Sequence, residues 1–120
     1  MKICIDPGHG LPDPGALGSM SREADINLTV ALNLRDELLG SGVEVIMTRQ
    51  SPHRIMPSSY GGDLQARCDM ANINKADYFI SIHCNSAGSP AQGAETYCYK
   101  RDTEAEKLAN VVQDFMVEFN

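Results

Sequence analysis

The sequence has 120 residues, 42% hydrophobic and 22% charged, the size and balance of one ordinary globular domain rather than a disordered or fibrous chain. Sixteen acidic against ten basic residues give a net charge of −6, which argues against a tracker of nucleic-acid phosphates and against electrostatic adhesion to anionic lipid or wall polymers. No apolar run approaches the roughly 20 residues needed to cross a bilayer, and residues 1–8 lack the apolar core and cleavage site of an export signal.

Residues 2–5 form a short apolar strand that stops at Asp6-Pro7-Gly8-His9-Gly10. The Gly-, Pro-, Ser- and Asp-rich stretch 11–22 is a loop. Leu28, Ala31, Leu32, Leu34 and Leu38 then fall mainly on one side of a helix over 24–39, with Gly40 as its left-handed stop. A second strand covers 43–48, a surface loop 49–62, a shorter helix 64–75, and a third strand 78–83. After a small-residue loop at 85–93, residues 94–99 are predicted as a further strand. The last helix is marked by Ala105, Leu108, Val112, Phe115 and Phe119, with Thr103 and Glu106 as a capping box. This order predicts an α/β fold, a mostly parallel twisted sheet with helices on both faces. The chain ends after an amphipathic helix, where such a fold is expected to continue with another strand.

Four cysteines contain no C-x-x-C pair, and Cys4, Cys84 and Cys98 lie in stretches predicted as strands. Buried, reduced thiols are therefore expected.

Ligands of open α/β sheets bind beyond the C-terminal ends of the strands. His9 lies just past the first strand, His83 ends the third, and Glu23 stands where the first loop meets the first helix. All three are thus expected at one sheet edge. Each has an ordinary reading by itself: a hydrogen-bonded strand-end histidine, or a glutamate complementing a helix dipole. Together they would make a three-ligand zinc site with an open fourth position, as catalytic zinc requires. His53, next to Arg54 in the 49–62 loop, is expected to be solvated. A phosphate cradle at the first turn is disfavoured, because there is no G-x-G-x-x-G, no Walker lysine, and Pro7 and Pro14 each lack an N–H.

Ile5-Asp6-Pro7-Gly8-His9-Gly10 and Asp13-Pro14-Gly15-Ala16 resemble the opening of the zinc-dependent N-acetylmuramoyl-L-alanine amidases of the amidase-3 type. The resemblance continues through Glu23, Asn27, Val45-Ile46-Met47-Thr48-Arg49, Arg67, Ala71-Asn72 and Ala76-Asp77. It closes with Phe79-Ile80-Ser81-Ile82-His83-Cys84-Asn85-Ser86 and Gly93-Ala94-Glu95-Thr96-Tyr97, so it spans residues 3–99. It implies Zn²⁺ held by His9, Glu23 and His83, and hydrolysis of the amide between N-acetylmuramic acid and L-alanine of peptidoglycan. It implies that 1–120 is the catalytic domain, incomplete at its C-terminus, acting on the cell wall outside the cytoplasm. A phage-type lysin and a module excised from a secreted enzyme both fit that expectation. The family's general-base glutamate belongs to a Val-Glu-x-x-Phe-like block expected beyond Asn120. Glu118 is expected on the solvent side of the last helix, and Glu95 to support the site by hydrogen bonding rather than by proton transfer. Another zinc peptidase or amidohydrolase is the alternative enzyme, and a wall-recognising fragment without catalysis is the alternative binder.

Overall fold

The computed structural model describes residues 1–56, 59–86 and 92–118. They fall into two compact units, Met1–Ser86 and Ala87–Asn120.

In the first unit the chain runs β1 (Lys2–Pro7), α1 (Glu23–Gly40), β2 (Glu44–Met47), α2 (Tyr60–Ile73) and β3 (Tyr78–Ile82). The sheet order is β2-β1-β3 with both pairs parallel, so β1 is central and its Ile5 stands between Met47 and Ile80. A central parallel strand is covered on both faces, which is why Ile3 through Pro7 are all buried. Side chains alternate across it. Ile3 and Ile5 pack with Ala31 of α1 and Met47, joined by Leu34, Leu38, Val45 and Ile80. Cys4 and Asp6 point to the opposite face, where Asp6 meets Arg67 of α2.

The helix limits correct two expectations. α1 continues through Gly40, and its left-handed turn falls at Gly42 (φ 79°). α2 begins at Tyr60, four residues before Leu64, because the Ser59 hydroxyl caps it by accepting from the Gly62 N–H. The buried stripe of α2 is Asp63, Arg67 and Ala71, spaced by one turn, while Leu64 and Ile73 are exposed. The 49–62 loop is irregular as expected, and His53 is exposed. Arg49 is nevertheless buried, and the loop is pinned to the first one: the Leu11 N–H donates to the Pro52 carbonyl, and the Arg54 N–H to that of Leu11.

In the second unit α3 spans Glu104–Glu118. Thr103 caps it by accepting from the Glu106 N–H, and the Glu106 carboxylate reaches back to the Asp102 N–H, one residue before the expected reciprocal partner. The strand expected over 94–99 does not form. Ala94, Thr96 and Cys98 are half-buried and their neighbours exposed, so the alternation is present, but no ladder is formed by these residues. Side-chain bonds stand in its place: Thr96 donates to the Gln113 carboxamide oxygen, and Gln113 donates to the Ala94 carbonyl. Glu118 is exposed, as expected; Phe119 lies outside the described residues.

All four cysteines are free. Only Cys4 is buried. Cys68 is exposed, Cys84 and Cys98 are half-buried, and neither Cys84 nor Cys98 belongs to a strand, which corrects the expectation of buried thiols in strands.

Candidate metal centre

The turn after β1 brings His9 to the sheet edge with a left-handed backbone (φ 60°), a conformation that costs a non-glycine residue about 1–2 kcal/mol. Its Nδ1 lies 2.9 Å from Asp13 Oδ2. The Asp13 carboxylate accepts only, so the proton sits on Nδ1 and the Nε2 lone pair is free to act as a ligand. Nε2 lies 3.2 Å from Glu23 Oε1, and His83 Nδ1 lies 3.1 Å from the same oxygen. The two imidazoles meet edge to face with centroids 4.9 Å apart.

Glu23, the first residue of α1, is buried and held from several sides. Oε2 accepts from the Ala16 N–H, and Oε1 from the Cys84 N–H and the Asn27 carboxamide. Asn27 also donates to the Gly8 carbonyl, tying α1 to the turn that carries His9. Burial works to raise the Glu23 carboxyl, but the Ala16 and Cys84 N–H donors and the Asn27 carboxamide work against it, and the group lies below its ordinary 4.5. Asp13 behaves alike: burial opposes ionisation, while His9 and the Gly15 N–H bring the carboxyl below 3.8.

Close approach explains two glycines. A Cβ at Gly8 would overlap the His83 ring, and one at Gly15 (φ 66°) would lie 2.7 Å from both Glu23 Oε2 and His9 Cδ2. A small, solvent-open pocket lies beside the two histidines and is also lined by Asp6, Asp13, Asp63 and Arg67.

The structure thus brings together His9, Glu23 and His83, whose candidate ligand atoms all lie within 4.8 Å of one another. The donor set suits a cation. With the His9 proton held at Nδ1, its Nε2 and Glu23 Oε1 present two lone pairs to each other, an arrangement that a shared positive charge relieves. Two imidazoles and a carboxylate are ligands that Zn²⁺ accepts. Glu95 belongs to the second unit, where it is exposed, lies outside any strand, and accepts from the Tyr97 phenol, raising that group.

Sequence reasoning gave no roles to Asp13, Asn27, Arg49 or Arg67. Asp13 carried a usable signal, a carboxylate four residues after a histidine in a glycine-rich turn. Arg49 carried none, since a charged residue at a loop start is ordinarily solvated.

Comparison with known proteins agrees with this geometry. Residues 3–119 match the N-acetylmuramoyl-L-alanine amidase family. The germination-specific N-acetylmuramoyl-L-alanine amidase of Bacillus subtilis is 40% identical over 120 residues, covering 93% of this chain and 51% of that protein. The CwlD amidase from Clostridioides difficile, solved in complex with the GerS lipoprotein, superposes with a TM-score of 0.90 at 32% identity, covering 98% of this chain and 65% of that one. The catalytic domain of CwlV from Bacillus (Paenibacillus) polymyxa gives a TM-score of 0.80 at 36% identity, covering 95% and 61%. The chain therefore spans about half of the curated relative and under two thirds of these solved chains. A match across nearly all of its residues, in a fold shared at 32–36% identity, means that this chain belongs to the N-acetylmuramoyl-L-alanine amidase family.

Proposed function

We propose that this chain is the metal-binding part of a peptidoglycan amidase, with Zn²⁺ held by His9, Glu23 and His83, cleaving the amide between N-acetylmuramic acid and L-alanine. The observation that carries the reading is the convergence of two imidazoles and one ionised carboxylate around a single point at the sheet edge. A zinc ion in such a site supplies Lewis acidity, polarising a carbonyl and lowering the pKa of water towards about 7.

The chain's own residues do the holding. Asp13 fixes the tautomer of His9, and Asn27 with the Ala16 and Cys84 N–H groups fixes the Glu23 carboxylate. These carboxylates are unsuited to proton transfer. Both oxygens of Glu23 and of Asp13 accept hydrogen bonds, while Asp6 and Asp63 are engaged by the buried Arg67. The proton acceptor is therefore sought outside this cluster; a positioned general base contributes about 10²–10⁴-fold to such a hydrolysis.

End-point labelling of new amino termini tests this. Purified peptidoglycan incubated with the zinc-loaded chain should accumulate amino-terminal L-alanine on intact stem peptides, and Glu23→Gln should abolish the release. Free D-alanine, or a new terminus inside the stem, would identify a peptidase instead. Peptidoglycan binding with no release would favour a binding module.

A further inference from the structure

α2 contributes none of the three ligand atoms, yet its inward stripe is charged and reaches the turn that carries His9. The Arg67 guanidinium donates through Nε to Asp63 (2.8 Å), through Nη1 to Asp6 (2.7 Å) and the Pro7 carbonyl (2.9 Å), and through Nη2 to the His9 carbonyl (2.8 Å). Arg49 works on the same turn, donating to the carbonyls of Pro7, Gly8 and Ala24. Three successive carbonyls, those of residues 7–9, thus point at two buried guanidinium groups. Asp6 keeps the arrangement tolerable by ion-pairing with Arg67, and it is itself held by the Thr48 and Ser81 hydroxyls.

Burying an arginine at 4% exposure to satisfy backbone carbonyls is an expensive way to attach a helix. An apolar stripe would serve packing as well, and Leu64 and Ile73 are present in α2 but face solvent. What an apolar stripe cannot do is fix the direction of a carbonyl. The residue whose carbonyl Arg67 holds is the ligand with a left-handed backbone, His9.

We propose that Arg67 is a positioning residue for the metal centre: it locks the peptide after His9, and so the direction of the His9 imidazole, from a helix that bears no ligand. The inference rests on the metal site proposed above. A planar fork meeting two carboxylates and two carbonyls at once is a task for which lysine is no substitute, since an ammonium keeps the charge but not the geometry.

Chelator competition with Zn²⁺, together with the visible spectrum of the Co²⁺-loaded protein, tests this on the 120-residue chain. Arg67→Lys should keep the parent's far-UV circular dichroism while losing about 10–100-fold in Zn²⁺ affinity, with an altered Co²⁺ band pattern. Asp63→Asn, which loosens Arg67 without removing it, should fall between the two, and it decides the matter if Arg67→Lys does not fold. Ile5→Val, a lesion on the other face of β1, should lower stability while leaving affinity and spectrum at parental values. If the folded Arg67 or Asp63 variants match the parent in affinity and Co²⁺ spectrum, the inference is overturned while the metal site stands. If affinity follows stability across all the variants, Ile5→Val included, Arg67 is merely structural and the inference is likewise overturned. If the parent itself binds neither Zn²⁺ nor Co²⁺, the proposed metal site falls and this inference with it.

Discussion

The two faces of β1 are built on different physics. Towards α1, Ile3 and Ile5 meet Ala31 and Met47 in an apolar cluster that could be repacked with other side chains of similar volume. Towards α2, Asp6 meets Arg67, Thr48 and Ser81 in contacts of 2.6–2.7 Å, each requiring a particular donor in a particular place. The apolar face stabilises the sheet without specifying the path of the loops that leave it. The charged face adds less net stability for the ions it buries, but it specifies where residues 7–9 go. The candidate ligands lie at the boundary: α1 supplies Glu23 from its first turn and core residues from its later turns.

That contrast can be broken by removing one member of each face. Asp6→Ala removes one of the two carboxylates paired with the buried Arg67 and strands the Thr48 and Ser81 hydroxyls, so it should cost about 3–5 kcal/mol in urea denaturation. A loss under about 1 kcal/mol would show that the charged face is not a cooperative unit. Ile5→Val removes one methylene from the apolar face and should cost only about 0.5–1.5 kcal/mol. Ser81→Ala trims a single donor to Asp6 and should cost about 1 kcal/mol, since one acceptor oxygen loses its partner.

The smallest effect sharpens the comparison without altering stability. Cys4 lies beside Asp6 on the charged face, and burial together with the Asp6 carboxylate pushes its thiol up to about 11. A neutral-pH thiol reagent should therefore modify the exposed Cys68 at once and Cys4 only after unfolding. Equal rates at the two positions would mean that this face opens readily.

The apolar face was legible in the sequence because burial there follows hydropathy. The strand cores near Ile5, Met47 and Ile80 and the leucine stripe of α1 were all placed correctly. The charged face was not, and for the same reason. From the sequence α2 is expected to start at Leu64 with no inward face assigned, whereas the inward stripe is Asp63, Arg67 and Ala71 and the start is the Ser59 cap. Residues 94–99 show the converse limit. Ala94, Thr96 and Cys98 alternate with exposed neighbours as in a strand, but alternation cannot supply a neighbouring strand. The three candidate ligands were legible because strand ends and helix starts share one edge in a parallel α/β sheet. Asp13 and Arg67, which orient His9, act through a side-chain tautomer and a backbone carbonyl that spacing does not reveal.

The proposed function stands or falls on His9, Glu23 and His83 holding one metal ion. Elemental analysis of the chain purified without chelator, beside Glu23→Gln and His83→Ala prepared in the same way, tests it most directly. About one equivalent of zinc is expected in the parent, with a large loss in both variants. A parent without stoichiometric metal, or variants that retain the parent's content, would contradict it.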